Sequence, residues 1–509
     1  HARGDLELTG IPGGGRREVW FAKPCRMREE IEIGPVRMVI GIDGGVSWIE
    51  DANGRVTVRK DPFSVREAMV SCMLARYDYL DPAPGEIEVT GPEPVAELGG
   101  RSCWTLHLRD AETDIYLDPQ TMLPAGRRGR QEGLTSVTRF ADYRDVQGIA
   151  VAFTEETSVP QVGQTVRSQW VDVRFDVSLP ESLFALPLEQ VRDFELPAGE
   201  PFVDVPVNVH DGLLFLDARV GEGAAVSLLI DSGAGRTVLD SAYAASLGVA
   251  MEARLPGVGA GEVSEVYLIT IPPLSLGGIR VAEQSGAAIA LHEWGPHLGG
   301  REIRGVIGFD FLSRFVSRID WRRARIRFWD PDSFRVPPQA VRADSSGYAP
   351  PVAAGIPVVV DAPLVMNVFT LPVRIDGQEA TTFLLDTGAQ VTVLGRQLAE
   401  RRGLWSREGG RTEAFGVGGS EQFRMVRLES LEIAGFRVRE PMAALRLRQG
   451  GALQVLLDVV GGAGAGILGG NVLADFVVTL DYGHQQVIFE RPTAAPAGEA
   501  PRKDESGAE

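Results

Sequence analysis

Residues 228–240 read LLIDSGAGRTVLD and residues 383–395 read FLLDTGAQVTVLG. Seven of these 13 aligned positions are identical, and the two stretches lie 155 residues apart. Each puts a carboxylate, Asp231 or Asp386, at the end of a strongly apolar run. A carboxylate there is costly unless it is hydrogen-bonded. The next residues supply what it needs. Ser232 and Thr387 carry hydroxyls, while Gly233 and Gly388 allow a tight turn and the close approach of another backbone. Two such carboxylates on related halves invite pairing across a pseudo-twofold axis. Carboxyls held about 3 Å apart cannot both ionise, so they share one proton. One then acts as general base on a water while the other donates to a carbonyl oxygen. That chemistry hydrolyses amides without a covalent intermediate.

The repeat extends beyond the acidic turn, in the same order in both copies. GVGAGE (257–262) matches GVGGSE (416–421), and GVIGFDFLSRFVSRID (305–320) matches GILGGNVLADFVVTLD (466–481) at six of 16 positions. Both copies then finish with a strand and a turn, RIRFWDP and QVIFERP. Two halves, 201–336 and 356–492, are therefore products of duplication. Asp320 and Asp481, paired by the repeat just before a turn, read as structural residues holding a hairpin corner.

Asp-Ser-Gly-Ala and Asp-Thr-Gly-Ala, each with a downstream Gly-apolar-apolar-Gly, resemble the active-site signature and supporting element of aspartic proteases. The resemblance covers residues 201–492 and implies two retropepsin-like β-barrel lobes fused in one chain. It implies that Asp231 and Asp386 are catalytic, with Ser232, Gly233, Ala234, Thr387, Gly388 and Ala389 supporting the active-site loops. Gly308 and Gly469 belong to the second supporting element, which a short helix follows. Gly257, Val258, Gly259 and Ala260, with Gly416, Val417, Gly418 and Gly419, resemble glycine-rich flaps that close over substrate. The flap tyrosine of pepsins has no clear counterpart, Tyr267 being the one candidate. The implied activity is an aspartic endopeptidase acting on an extended peptide or protein, with no metal or cofactor and no dimer required. Ala234 and Ala389 stand where a hydroxyl could stabilise the charged carboxyl, so the dyad is expected to titrate high and the optimum to be mildly acidic to near neutral.

These halves must be positioned by the rest of a 509-residue chain, long enough for about three domains. Sixty glycines and 32 prolines suit many short strands joined by turns, and the expected class is mainly β. Residues 1–190 read as a separate β-rich unit with at least one helix. SVTRFADY and RSQWVDVRFDV alternate as half-buried strands, and 62–80 places Val65, Met69, Met73 and Leu74 at helical spacing. IGIDGGVSWIEDANG (40–54), YLDPQTMLPAGR (116–127) and SLPESLFALP (178–187) resemble lipoprotein-sorting (LolA-like) domains. The plainer reading is a strand-rich accessory domain without chemistry of its own. Polar, proline-bearing stretches at 186–201 and 336–355 read as linkers, and 493–509 as a disordered tail.

The net charge of −18 disfavours nucleic acid and anionic membrane as partners. No apolar run is long enough to span a bilayer. Export, to the periplasm, the medium or a lipid anchor, is an expectation from the two resemblances. Cys25, Cys72 and Cys103 lack metal spacing; either all three are buried thiols or Cys72 pairs with Cys103. Gly464, Gly466 and Gly469 form a GxGxxG without a long enough following helix, and HEWGPH (292–297) is not a zinc motif. The alternative function is a peptide- or lipoprotein-binding module in which the double lobe no longer cuts.

Overall fold

The computed structural model describes residues 1–9, 11, 13–34, 36–76, 87–108, 112–131, 134–161, 163–187, 191–257, 264–292, 294, 301–416, 419–448, 453, 454, 457 and 465–493, and every count of elements below is of these residues. The chain is mainly β. The expected tail beyond residue 493 lies outside the described residues.

The first unit is one thirteen-stranded sheet, antiparallel throughout. Strands Ala2–Leu8 to Val56–Arg59 form one meander and Ile87–Val95 to Gln164–Val173 a second. The meanders join because the first strand pairs with the last, Ala2 opposite Val173 and Leu8 opposite Val166. A single helix, Pro62–Arg76, follows one edge strand and leads toward the other. Its buried stripe is Ser64, Ala68 and Cys72, whereas Met69 is exposed. The stripe expected from Val65 and Met69 is thus rotated. Two local bonds explain this: Asp61 accepts from the Ser64 N–H at 2.7 Å, and Cys72 is bonded to Cys25. That disulfide, with Cα atoms 5.3 Å apart, staples the helix to the turn before the strand Arg26–Ile33. It corrects the Cys72–Cys103 pairing considered above. Cys103 is a free, fully buried thiol packed with Val95, Tyr116 and Ala125 in another part of the sheet.

The two repeated halves each form a sheet of their own, and together they form a third. In this seven-stranded sheet Val316–Asp320 pairs antiparallel with Val477–Asp481, so that Val316 faces Asp481 and Asp320 faces Val477. The strands at its centre are therefore repeat equivalents, related by a local pseudo-twofold axis. Asp320 and Asp481 close their hairpin corners, accepting from the backbone N–H of Arg323 at 3.0 Å and His484 at 3.1 Å. One continuous apolar core runs through both halves, from Val203 to Phe489.

The segment expected as the first linker is built into the first lobe. Phe194–Glu195 pairs with Ile279–Val281, and Phe194 packs edge-on against Phe315 at 4.8 Å. Asp193 forms a bidentate ion pair with Arg314, whose side chain is fully buried. An apolar ring and a carboxylate facing a buried cation hold what polarity and proline alone had marked as a tether. The second expected linker contributes the short strand Val341–Arg342, parallel to Val358–Asp361.

Candidate active site

Each acidic turn is made by three strand segments. In the first lobe Ala225–Ile230 runs parallel to Gly305–Ile307, which pairs on its other side with Val238–Asp240. In the second, Ala380–Leu385, Gly466–Leu468 and Thr392–Leu394 repeat the arrangement. The Gly-apolar-apolar-Gly element thus lies between the two arms of the turn. Its carbonyls hold the acidic residues by their backbones, Asp231 N–H to Ile307 O at 3.0 Å and Asp386 N–H to Leu468 O at 3.1 Å. Gly308 and Gly469 close the element against the loop. A Cβ on Gly308 would lie 2.8 Å from Ala234 O, and one on Gly469 would lie 2.9 Å from Ala389 O. No side chain fits at either position.

The two turns interlock. Ser232 Oγ donates to Leu385 O and accepts from Thr387 N–H; Thr387 Oγ1 donates to Ile230 O and accepts from Ser232 N–H, all at 3.0 Å. Both hydroxyl residues are fully buried. In this reciprocal set each lobe satisfies backbone groups of the other, so either turn alone would leave polar atoms unpaired in the core.

Above the interlock, each carboxyl lies over the other turn's glycine. A Cβ on Gly233 would be 2.8 Å from either carboxylate oxygen of Asp386, and one on Gly388 would be 2.6 Å from Asp231 Oδ1. The glycines are needed because the partner's carboxyl occupies that space. Asp231 Oδ1 accepts from Gly233 N–H at 2.7 Å and Ala234 N–H at 3.0 Å, and Asp386 Oδ1 from Gly388 N–H at 2.7 Å. Both residues keep a partly accessible edge. Desolvation is nonetheless the largest influence on each. It raises Asp231 above the usual carboxylate range, opposed by a hydrogen bond from Asp386 and by the two backbone N–H groups. Asp386 is raised well above that range, by burial first and then by the charge of Asp231. The pair therefore keeps a proton above the usual carboxylate range.

A second layer, which the motifs did not reveal, holds the turns from below. Thr237 donates through both N–H and Oγ1 to Asp310 Oδ1, and its Oγ1 accepts from Gly308 N–H at 3.2 Å. Thr392 makes the same contacts with Asn471 Oδ1, at 2.8 and 3.0 Å, and with Gly469 N–H at 3.2 Å. The signal was present in the repeat: Thr237 and Thr392 are among the seven identities, and Asp310 aligns with Asn471. Asp310 sits in the four-residue helix Phe309–Leu312, and Asn471 in Gly470–Leu473.

The flap-like segments are hairpins. Ala253–Gly257 pairs with Ser264–Ile271, Gly257 opposite Ser264, and Arg411–Gly416 pairs with Gly419–Arg427, Gly416 opposite Gly419. Val258, Gly259, Ala260, Val417 and Gly418 lie outside the described residues. Tyr267, on the second strand of the first hairpin, packs against the main core and donates to Glu265 at 3.1 Å. The first hairpin is also gripped by the N-terminal unit: Ala253 and Leu268 form one apolar cluster with Ile11, Leu8, Ile33 and Val36. Asn53 exchanges two hydrogen bonds with the backbone of Ser285, and Arg55 donates to Ser313 O at 2.6 Å.

A family model of aspartyl proteases matches the chain twice, over residues 216–311 and 371–472. Both lobes match the aspartyl protease family. Each match spans one acidic turn and the glycine element that supports it. No curated protein matches the chain. Within the first matched region, His292 of the HEWGPH stretch is tied to Asp240, at 3.2 Å from Nδ1. Asp240 also caps the helix Ser241–Ser246 through the Tyr243 N–H.

Proposed function

We propose that the two lobes form one aspartic endopeptidase site, with Asp231 and Asp386 as its catalytic residues. The observation that carries this reading is the seat of each carboxyl against the other turn's glycine, with burial raising both acids. Asp386 holds the shared proton and Asp231 is the base. Asp231 takes a proton from water as the water oxygen attacks the peptide carbonyl carbon, and Asp386 gives its proton to the carbonyl oxygen. As the tetrahedral diol collapses, Asp231 gives its proton to the amide nitrogen, the C–N bond breaks, and a diol hydroxyl returns a proton to Asp386. Both acids are then back in their starting states, and no covalent enzyme intermediate forms. Ser232 and Thr387 orient the turns without touching the reacting atoms. The substrate is an extended peptide between the two hairpins and the turns. Because both acids are raised, the one-proton state extends to mildly acidic or near-neutral pH, where the optimum is expected.

The Cys25–Cys72 bond supports export to an oxidising compartment. The alternative of a non-cutting binding module has no observation in its favour, since both carboxyls and both supporting glycines are present. The test is peptide cleavage from pH 3 to 8 by the wild type and Asp386→Asn, with and without a statine-type inhibitor. Loss of at least a thousandfold in kcat/KM on substitution, and inhibition of the wild type, are expected. Cleavage that survives both would sink the dyad.

A further inference from the structure

Beside each acidic turn lies an apolar cluster separate from the main core. In the second lobe it contains Leu384, Phe423 and Ile467, with Ala389, Val391 and Val393 packed against it. In the first lobe it contains Leu229, Phe215 and Val306, with Ala234 and Val238 packed against it. Leu229 and Leu384 are repeat equivalents, as are Val306 and Ile467, so the two clusters are the same place in the two halves. Each begins at the alanine that follows the acidic turn and reaches a hairpin strand, through Val266 in one and Phe423 in the other. Each cluster adjoins its acidic turn through that alanine.

The halves differ at the middle position. Where the second lobe has Val391 between Ala389 and Val393, the first has Arg236 between Ala234 and Val238. Its Nη1 is buried and has no hydrogen-bond partner among the described residues. A second cation borders the same cluster: the Arg301 guanidinium lies 4.9 Å from the centre of the Phe215 ring, its Nη2 donating to the amide oxygen of Asn208 at 3.5 Å. A desolvated guanidinium nitrogen without an acceptor is costly, and a carboxylate is the acceptor that best fits its fork. In a chain of net charge −18 such a place is not explained by general surface charge.

We propose that Arg236 determines specificity, taking an acidic side chain of the bound peptide on the first-lobe side of the cleavage point, with Arg301 adding to the local positive field. The second-lobe side, lined by Val391, takes an apolar residue in the equivalent place. The peptidase of the preceding section thus reads its substrate asymmetrically: acid on one side, hydrocarbon on the other. This rests on the endopeptidase reading for its geometry.

The test uses a peptide set in which Asp, Asn, Glu, Gln and Lys are exchanged at each position around the cut. Cleavage is measured with the wild type, Arg236→Val and Arg236→Lys, and binding with Asp386→Asn in the presence and absence of Arg236→Val. At one position the acid is expected to exceed its amide roughly tenfold in kcat/KM and in affinity. Arg236→Val abolishes that preference, and Arg236→Lys keeps part of it. Equal use of acid and amide at every position, or a preference that persists in Arg236→Val, overturns the proposal. If no peptide is cut but the acid preference in binding is present and depends on Arg236, the proposal holds and the peptidase reading fails. Cleavage without any acid preference gives the reverse.

Discussion

The two lobes use the same frame but anchor it differently. Beneath each turn a threonine meets one side-chain oxygen, from Asp310 in the first lobe and Asn471 in the second. That oxygen is all the turn requires, so the other atom of the side chain has been free to diverge. In the first lobe Asp310 is buried in a charged setting. Arg314 donates to its carbonyl and pairs with Asp193, and Arg55 of the N-terminal unit reaches the next turn. Burial, and then the charge of Arg314, lower Arg55 to about 10. In the second lobe the other atom is an amide nitrogen donating to Met442 O at 2.8 Å, and the position matching Arg314 is the exposed Asp475. One lobe is bolted to its own leading segment through charge. The other stands on neutral hydrogen bonds.

The largest difference between the lobes is expected on cutting that bolt. Asp193→Ala leaves the Arg314 guanidinium buried without its carboxylate and should cost about 3–5 kcal/mol in denaturant unfolding. Asp475→Ala at the matching exposed place should stay within about 0.5 kcal/mol. Similar costs for the two would remove the contrast. Next is the exchange at the supporting position. Asp310→Asn should destabilise by about 2 kcal/mol, losing charge-assisted bonds, and Asn471→Asp by about 1 kcal/mol, losing the bond to Met442. The reverse order would mean that the charge in the first lobe is a burden and not an anchor. Ile11→Ala, which loosens the grip of the N-terminal unit, should cost about 2 kcal/mol. It should also speed amide exchange in 264–271 while leaving 419–427 unchanged; equal change in both hairpins would show that the grip is not local.

The smallest effect concerns the pair that the lobes share. Asp386 is raised in the fold, whereas an unfolded aspartate titrates near about 3.9. The folded chain then binds the extra proton, so this contribution to stability is complete below the unfolded value and is lost as pH rises through the folded one. Asn at this position cannot ionise. Asp386→Asn should therefore melt higher than the wild type at pH 8 and show little gain at pH 4. A lower melting temperature at pH 8 would mean that the carboxylate is stabilised in the fold.

The mainly β class and the two lobes were legible because duplication wrote the same turn, glycine element and hairpin twice. A single copy of Asp-Ser-Gly-Ala would have said far less. Asp310 and Asn471 were not legible, because two different residue types share one acceptor oxygen and motif reading compares types, not atoms. The disulfide partner was missed for another reason. Cys25 and Cys103 are equally plausible by count, and only the sheet order places the first against the helix and the second in another part of the sheet. The helix face went astray with it, since periodicity weighs Met69 above Cys72 and cannot know that a covalent bond turns the helix. The segment at 186–201 looked like a tether because its composition is polar; its Asp193 is polar because it faces a buried arginine.

The sheet that both lobes build has a meaning in time. Val316–Asp320 must wait for Val477–Asp481, and at roughly 5–20 residues per second of synthesis that delay is roughly 8–30 s. During that interval the Ser232 hydroxyl lacks its partner strand for as long as residues 385–387 are unmade or undocked. A nascent chain therefore carries one acidic turn that cannot lock until residues 385–387 have been made and docked. Any product cut short before residue 477 would lack the strand that joins the second half to the shared sheet.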